Sequence, residues 1–179
     1  MRKLYFLWKC FVFLFISGLL ALLGLYLYAY ITPKMDIHGS NRIVMFDKDD
    51  NVFYENSSNT SWVSLSDVSQ YAKDGMIATE DKNFYSHNGF DYLRIIKAMY
   101  NNIRTGELSQ GASTISQQYI KNLFLTFDNT WSRKIEEAFL TFELEVHYSK
   151  DEILEGYINT INYGAGNYGI EDASLYYFN

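Results

Sequence analysis

The sequence contains one cysteine, Cys10, and one proline, Pro33. A single cysteine excludes an intramolecular disulfide framework and a cysteine-based metal cluster. A single proline, together with 11 glycines, excludes collagen-like proteins and proline-rich linkers. Net positive charge is also absent, because 21 acidic residues outnumber 15 Lys and Arg residues and the formal charge is -6. We therefore expect no nucleic-acid partner, since such binding depends on neutralising phosphates.

The chain does contain a long apolar run near its N-terminus. Residues 11–31 carry no charge, and as a helix they would cover roughly 30 Å, the hydrocarbon thickness of a bilayer. Arg2, Lys3 and Lys9 precede the run, which predicts a cytoplasmic N-terminus by the positive-inside rule. A cleaved signal peptide is the alternative, although the run exceeds the usual apolar core of ~7–15 residues and no small-residue cleavage site follows it.

This run divides the chain into four predicted parts. They are a cytoplasmic N-terminus (1–10), a transmembrane signal-anchor helix (11–31), a linker with a β-hairpin near the membrane (32–65) and an extracytoplasmic domain (66–179). The hairpin is predicted from two β-rich runs, Arg42–Phe46 and Val52–Tyr54, which flank a turn-forming cluster. From Ser66 onward apolar residues recur with helical spacing, so the fold class is mainly α.

The helical segments are predicted from caps and apolar periodicity. They begin near Ser66, Asp91, Ser113, Ser132, Ser149 and Tyr168, and Ser149 with Glu152 forms a capping box. In the segment from residue 91 to 105, one face carries Tyr92, Ile95, Ile96, Met99 and Ile103. In the segment from 132 to 148, the residues predicted to point inward are Ile135, Ala138, Phe139, Phe142 and Val146.

Three clusters of polar residues suggest chemistry. Glu80 and Asp81 end the first predicted helix beside His87 and a glycine-containing turn, an arrangement that could hold a general base. The structural alternative is that Asp81 caps a turn, His87 is an ordinary buried polar residue and Glu80 is solvated. On these residues alone both interpretations stay open.

The second cluster lies at a predicted helix start. Ser113 and Thr114 would present hydroxyls and free backbone N–H groups, which attract anions such as phosphate. The following turns add neutral donors and a cation through Gln117, Gln118, Lys121 and Asn122. Alternatively, Ser113 is only an N-cap and the glutamines are surface residues.

The third cluster lies on the predicted helix from 132 to 148. Arg133 and Lys134 are spaced four and three residues before Glu137, so the three side chains share one face, with Ile135 on the apolar face. This places two cations with one carboxylate, away from the side of the helix predicted to be buried. The alternative is a solvated ladder of salt bridges that contributes little to stability.

Taken together, these clusters resemble the five ordered motifs of the peptidoglycan glycosyltransferases, glycosyltransferase family 51. The motifs stand here as Glu80-Asp-x-x-Phe84-x-x-His87-x-Gly89-x-Asp91, Gly111-Ala-Ser-Thr-Ile-Ser-Gln-Gln118, Arg133-Lys-x-x-Glu137, Lys150-x-x-Ile-Leu-Glu-x-Tyr-Ile-Asn159 and Gly164-x-Gly-x-x-Gly169 through Tyr177-Phe178. Such domains belong to class A penicillin-binding proteins or to monofunctional transglycosylases. The resemblance covers roughly residue 43 to the end.

The resemblance implies a lysozyme-like fold outside the bacterial cytoplasmic membrane and polymerisation of lipid II, a disaccharide-pentapeptide on undecaprenyl diphosphate. Glu80 would be the general base for the acceptor hydroxyl, with inversion at C1 of the donor. Glu137 would position the donor side and its cations. Developing diphosphate charge would meet cations or helix N–H groups. The residues implied in substrate binding are Asp81, Phe84, His87, Gly89, Ser113, Thr114, Gln117, Gln118, Lys121, Asn122, Arg133 and Lys134.

The partners implied are lipid II, the growing glycan strand, membrane lipid, other cell-wall synthesis proteins and moenomycin as an inhibitor. A divalent cation, Mg²⁺ or Mn²⁺, could assist, but no carboxylate-rich cage is evident and no metal ligand is assigned. Glu136 adds a negative charge that would weaken diphosphate binding unless it faces solvent, and Ser116 stands where relatives carry Thr. Because the chain stops at Asn179, just after the fifth motif, we expect a C-terminally truncated domain.

Two alternatives stay open from the sequence. The first is a glycan-cleaving enzyme of lysozyme-like architecture, with Glu80 and Glu137 as its carboxylate pair. The second is an inactive, truncated remnant that binds lipid II without polymerising it.

Overall fold

The computed structural model describes residues 2–37, 44–48, 52–55, 62–105, 111–125 and 130–178. The chain divides into two compact units, Met1–Lys34 and Met35–Asn179. The first unit is formed by one helix, α1 (Arg2–Ile31), of which Tyr5–Ile31 is long and apolar enough to cross a membrane. Most of its large apolar side chains are exposed, which is consistent with membrane anchoring.

The second unit contains one small sheet and, among its described residues, six α-helices. They are β1 (Val44–Phe46), β2 (Val52–Glu55), α2 (Gln70–Glu80), α3 (Tyr92–Thr105), α4 (Ile115–Phe124), α5 (Trp131–His147), α6 (Lys150–Thr160) and α7 (Ile170–Phe178), with a short 3-10 helix at Phe84–Ser86. The strands pair antiparallel, with Val44 opposite Glu55. This composition confirms the predicted mainly α fold class with a hairpin and is consistent with a lysozyme-like domain.

Capping side chains mark where several helices begin. Ser149 and Glu152 form the predicted capping box of α6, and the carboxylate of Asp91 accepts the Arg94 N–H at the start of α3, 2.9 Å away. Hydrogen bonds from the Arg94 backbone and the Asn83 side chain hold the pKa of Asp91 below its ordinary value. Four predicted starts differ from the structure by one or more residues. The capping positions of α2, α4 and α5 are Ser69, Thr114 and Thr130, and α7 begins at Ile170.

The core is built around α4, which packs against both α5 and α6. Tyr119 and Ile120 of α4 are fully buried, with Leu144 of α5 and Ile153 and Leu154 of α6. Helices α4 and α6 approach closely at Gly156, where a Cβ atom would lie 1.9 Å from the Tyr119 hydroxyl oxygen. That hydroxyl donates to the carbonyl of Ile37, which ties the segment preceding the hairpin into the core.

The predicted apolar face of α3 and one predicted inward residue of α5 do not pack into this core. The described large side chains on the apolar face of α3 are mostly exposed, and Ala98 is the buried residue of the helix. On α5, Ile135 is 70% exposed, so its prediction as an inward residue was wrong. The buried positions of α5 are Glu137, Thr141 and Leu144, a face that begins with a charged residue.

Candidate active site

Glu80 is the last residue of α2 and faces α4. It is half-buried, and its carboxylate oxygen Oε2 accepts a hydrogen bond from Gln118 Nε2 at 2.8 Å. The guanidinium of Arg94 donates to the main-chain carbonyl of Glu80 and, at 3.5 Å, to the carbonyl of Gly111. Arg94 therefore joins the end of α2 to the segment that leads into α4.

Glu80 also lines an open cavity of about 660 Å³. Three basic side chains share this cavity, those of Lys82, Arg94 and Lys97, together with the carboxylate of Asp91. Such a cavity is suited to a negatively charged ligand, because the basic side chains attract its charge. The carboxylate of Glu80 could then remove a proton from the bound ligand.

Asp81 is fully buried and connects the first motif to the start of α4. Its carboxylate accepts the Ile115 backbone N–H at 3.1 Å and lies 3.0 Å from His87 Nε2. The other ring nitrogen of His87, Nδ1, is buried and has no partner among the described residues. Phe84 is also fully buried, and Lys150 Nζ lies 4.4 Å from its ring centroid. Asp81 and Phe84 therefore lie beneath the surface of the site, and their contacts with substrate stay a prediction.

Gly89 brings the first motif against the second. Its carbonyl accepts a hydrogen bond from Thr114 Oγ1 at 2.7 Å, and its φ of 84° is in the left-handed region that favours glycine. A Cβ atom here would lie 3.0 Å from the Thr141 methyl and 3.1 Å from Cγ of Glu145. Gly89 thus permits a close approach of the first motif to α5.

The first turns of α4 reach both acidic residues predicted to be catalytic. Thr114 and Gln117 form a capping box, and Gln117 Nε2 donates to Glu137 Oε1 at 3.2 Å. The next residue, Gln118, donates to Glu80. Two consecutive glutamines therefore link the two carboxylates through one helix, which excludes the interpretation of these glutamines as solvated surface residues. Further along α4, Lys121 is half-buried and Asn122 is exposed.

Glu137 is the centre of a buried charge cluster. Its side chain is 2% exposed, and it contacts Arg133 Nη1 at 2.8 Å and the ammonium of Lys134. Lys134 Nζ also lies 3.5 Å from Ser113 Oγ, and 41% of its side chain is exposed. The prediction that this trio points away from the buried side of the helix was wrong, because the carboxylate lies in the interior and one cation reaches outward.

Two departures from the family pattern are explained by their positions. Glu136 is exposed, so its negative charge faces solvent rather than the buried cluster. Ser116 is fully buried, and its hydroxyl donates to the carboxylate of Glu145, which also accepts from Lys150 Nζ at 2.7 Å. The hydroxyl group, which Ser shares with Thr, is therefore the part of this side chain that makes the hydrogen bond.

The described carboxylates of the site do not form a cage for a divalent cation. Within the described residues, no group of three or more His, Cys, Asp or Glu side chains could hold a metal ion. The buried carboxylate of Glu137 is already neutralised by Arg133 and Lys134, so a divalent ion there would have to displace a cation.

Sequence reasoning did not assign roles to several residues that shape the site. Tyr157 donates to Gln118 Oε1 at 2.9 Å. Glu155 accepts from Trp62 Nε1 and from the Leu65 N–H, and Asn159 pairs with both main-chain groups of Val63. The sequence did contain a signal for these contacts, because polar residues stand among the apolar residues of α6. A buried polar group requires a hydrogen-bond partner, so such residues indicate a specific contact.

Comparisons with known proteins show which family the chain is similar to. A family model described as Transglycosylase matches residues 49–179. Penicillin-binding protein 2D of Bacillus subtilis (strain 168) is 55% identical over 117 residues, which is 65% of this chain and 17% of that protein. Penicillin-binding protein 1F of the same organism is 40% identical over 167 residues, or 93% of this chain and 23% of that protein.

A third relative is closer in length to this chain. The biosynthetic peptidoglycan transglycosylase of Bacteroides thetaiotaomicron is 38% identical over 169 residues, covering 94% of this chain and 65% of that protein. The chain thus spans less than two thirds of the length of each of these three relatives. Because the family model matches more than half of the chain and includes all five motifs, the chain belongs to the transglycosylase family.

Proposed function

We propose that this chain is a membrane-anchored peptidoglycan glycosyltransferase that polymerises lipid II into glycan strands with release of undecaprenyl diphosphate. The family match and the relative named as a peptidoglycan transglycosylase support the reaction class. The observation that carries the proposal is the link between Glu80 and Glu137 through adjacent glutamines of α4, because it joins a half-exposed carboxylate to a cation cluster.

Glu80 is the general base in this proposal. It takes the proton from the 4-hydroxyl of the acceptor N-acetylglucosamine as that oxygen forms a bond to C1 of the donor N-acetylmuramic acid. The bond from C1 to the diphosphate oxygen breaks on the opposite face, the leaving group keeps the electron pair, and C1 is inverted. Glu80 suits this role because it lines an open cavity, whereas the carboxylates of Asp81 and Glu137 are buried.

The leaving diphosphate needs positive charge rather than a proton donor. Arg133 and Lys134 supply two cations, and Glu137 neutralises one of them while holding both in place. The exposed part of Lys134 and the hydroxyl of Ser113 at the start of α4 are then available to an anion. Lys121, about two turns further along α4, is a candidate for the same role.

The exposed apolar face of α3 supports work at a lipid surface. Among its described residues, six large side chains on one face are 63–80% exposed, namely Tyr92, Leu93, Ile96, Met99, Tyr100 and Ile103. The helix carries three basic residues and no acidic one. An amphipathic helix of this composition is suited to an anionic lipid interface. We propose that this face rests on the outer surface of the membrane.

A fluorescent reporter tests the location of α3. Replacing Cys10, the chain's one cysteine, by Ser allows Ile96→Cys to be labelled with an environment-sensitive dye in the full chain. In proteoliposomes, we expect the dye at position 96 to shift to shorter wavelength and to be quenched by nitroxide-labelled lipid. The matched control is Lys97→Cys, one residue along and about 100° around the helix. Equal quenching at both positions would contradict the proposal.

Polymerisation itself is tested with purified full-length chain and lipid II. The expected product is a ladder of glycan strands that grows with time and is suppressed by moenomycin. New reducing ends from finished peptidoglycan, without strands from lipid II, would instead indicate a glycan-cleaving enzyme. Binding of moenomycin or a lipid II analogue without any polymer would indicate an inactive remnant. Either of these two results would overturn the proposed function.

A further inference from the structure

The side chain of Gln118 lies between Glu80 and a tyrosine of α6. Gln118 Nε2 donates to Glu80 Oε2 at 2.8 Å, and Gln118 Oε1 accepts from the Tyr157 hydroxyl at 2.9 Å. Tyr157 is 2% exposed and belongs to the core. The amide therefore connects the half-exposed carboxylate of Glu80 to a rigid, buried hydroxyl.

The two hydrogen bonds determine which way the amide points. An ionised carboxylate only accepts hydrogen bonds, so the NH₂ group of Gln118 must face Glu80. The amide oxygen then faces Tyr157, whose hydroxyl is the donor. Burial, followed by the charges of Glu80 and Asp81, raises the pKa of Tyr157 well above its ordinary value. The hydroxyl therefore keeps its proton, and its capacity to donate, throughout the neutral range.

We propose that Tyr157 is a positioning residue, which holds the Gln118 amide in the one orientation that donates to Glu80 and thereby fixes the direction of the base. This inference rests on the proposed function, since it requires Glu80 to be the base. Tyr157 acts through Gln118 and not on the substrate.

Loss of the hydroxyl would release the amide. With Phe at position 157, Gln118 Oε1 has no donor from this side, and the amide can turn its oxygen toward the carboxylate of Glu80, where two acceptors repel. The carboxylate would then spend less time aligned with the acceptor hydroxyl, and misalignment of a reacting group costs rate. We expect Tyr157→Phe to lower kcat for lipid II polymerisation about tenfold and to leave KM within about twofold.

Tyr119→Phe is the matched control. Tyr119 follows Gln118 on α4 and is also fully buried, but its hydroxyl donates to the carbonyl of Ile37, away from Glu80. Both variants lose one buried oxygen and keep the aromatic ring, so both should fold, which a thermal melt verifies. Tyr119→Phe is expected to keep the wild-type kcat even if its melting temperature falls.

A double-mutant cycle separates positioning from general structural loss. If Tyr157 acts through the amide, Tyr157→Phe should lower kcat no further in a Gln118→Leu background. A wild-type kcat for Tyr157→Phe, a change in KM alone, or an equal extra loss in the Gln118→Leu background would overturn the inference. The Glu80→Gln variant separates the proposed function from the role of Tyr157. If Glu80→Gln still polymerises lipid II, the assignment of the base is wrong. If Glu80→Gln is inactive and Tyr157→Phe is unaffected, only the positioning role of Tyr157 is refuted.

Discussion

Glu80→Gln is expected to lower the rate of lipid II polymerisation by about 10²–10⁴, the usual contribution of a general base. The amide cannot take the proton of the acceptor hydroxyl, although it can still accept a hydrogen bond from Gln118 Nε2. The fold should therefore remain intact. The measurement is glycan strand formation by the full chain, with the melting temperature of the same preparation recorded beside it.

The matched control for this substitution is Glu136→Gln. Glu136 is an exposed carboxylate on α5, next in sequence to Glu137, and faces solvent. Its removal changes the net charge by the same amount as Glu80→Gln, and we expect polymerisation to stay within about twofold of wild type because no described contact of the site involves it. An active Glu80→Gln enzyme would show that another group accepts the proton.

Glu137→Ala is expected to destabilise the protein by about 3 kcal/mol, the lower end of the range for breaking a buried ion pair. Arg133 and Lys134 would be left without their shared counter-charge, and Gln117 Nε2 would lose its acceptor. The lower end applies because 41% of the Lys134 side chain reaches solvent, which partly solvates the charge. Polymerisation should also fall, since the two cations would no longer be held at the start of α4.

Thermal melting of the full chain measures this effect. A loss of 3 kcal/mol corresponds to a decrease in melting temperature of about 6–12 °C for a chain of this size. Glu136→Ala, which removes an exposed carboxylate from the same helix, should change the melting temperature by little. If the two variants melted within a degree of one another, the cluster around Glu137 would be no more than a solvated ladder of charges.

Much of the local structure could be predicted from the sequence. The capping box at Ser149 and the cap at Asp91 were both correct, because a capping hydrogen bond joins residues three positions apart and requires no distant partner. The pairing of β1 with β2 was anticipated for the same reason, since a hairpin is a short-range structure. Errors at the starts of α2, α4 and α5 arose where several Ser or Thr residues competed for one capping position.

Periodicity was less informative about what each face of a helix contacts. The apolar face of α3 was correctly identified as one face, but its exposed side chains show that it does not pack into the core. On α5 the buried face begins with Glu137 rather than Ile135. A repeat of apolar residues identifies an amphipathic helix. Whether protein, lipid or solvent contacts its apolar face depends on the neighbouring elements of the fold.

The order and spacing of the motifs identified the family and the candidate residues, including both Glu80 and Glu137, because spacing along one chain is a property of the sequence itself. Only the tertiary structure distinguished the half-exposed carboxylate beside a cavity from the buried carboxylate held by two cations. It also showed that Asp81 and Phe84 are fully buried and that Tyr157 of α6 donates a hydrogen bond to Gln118 of α4. Burial and hydrogen-bond partners depend on the packing of α4 against α5 and α6, which joins residues far apart in the chain.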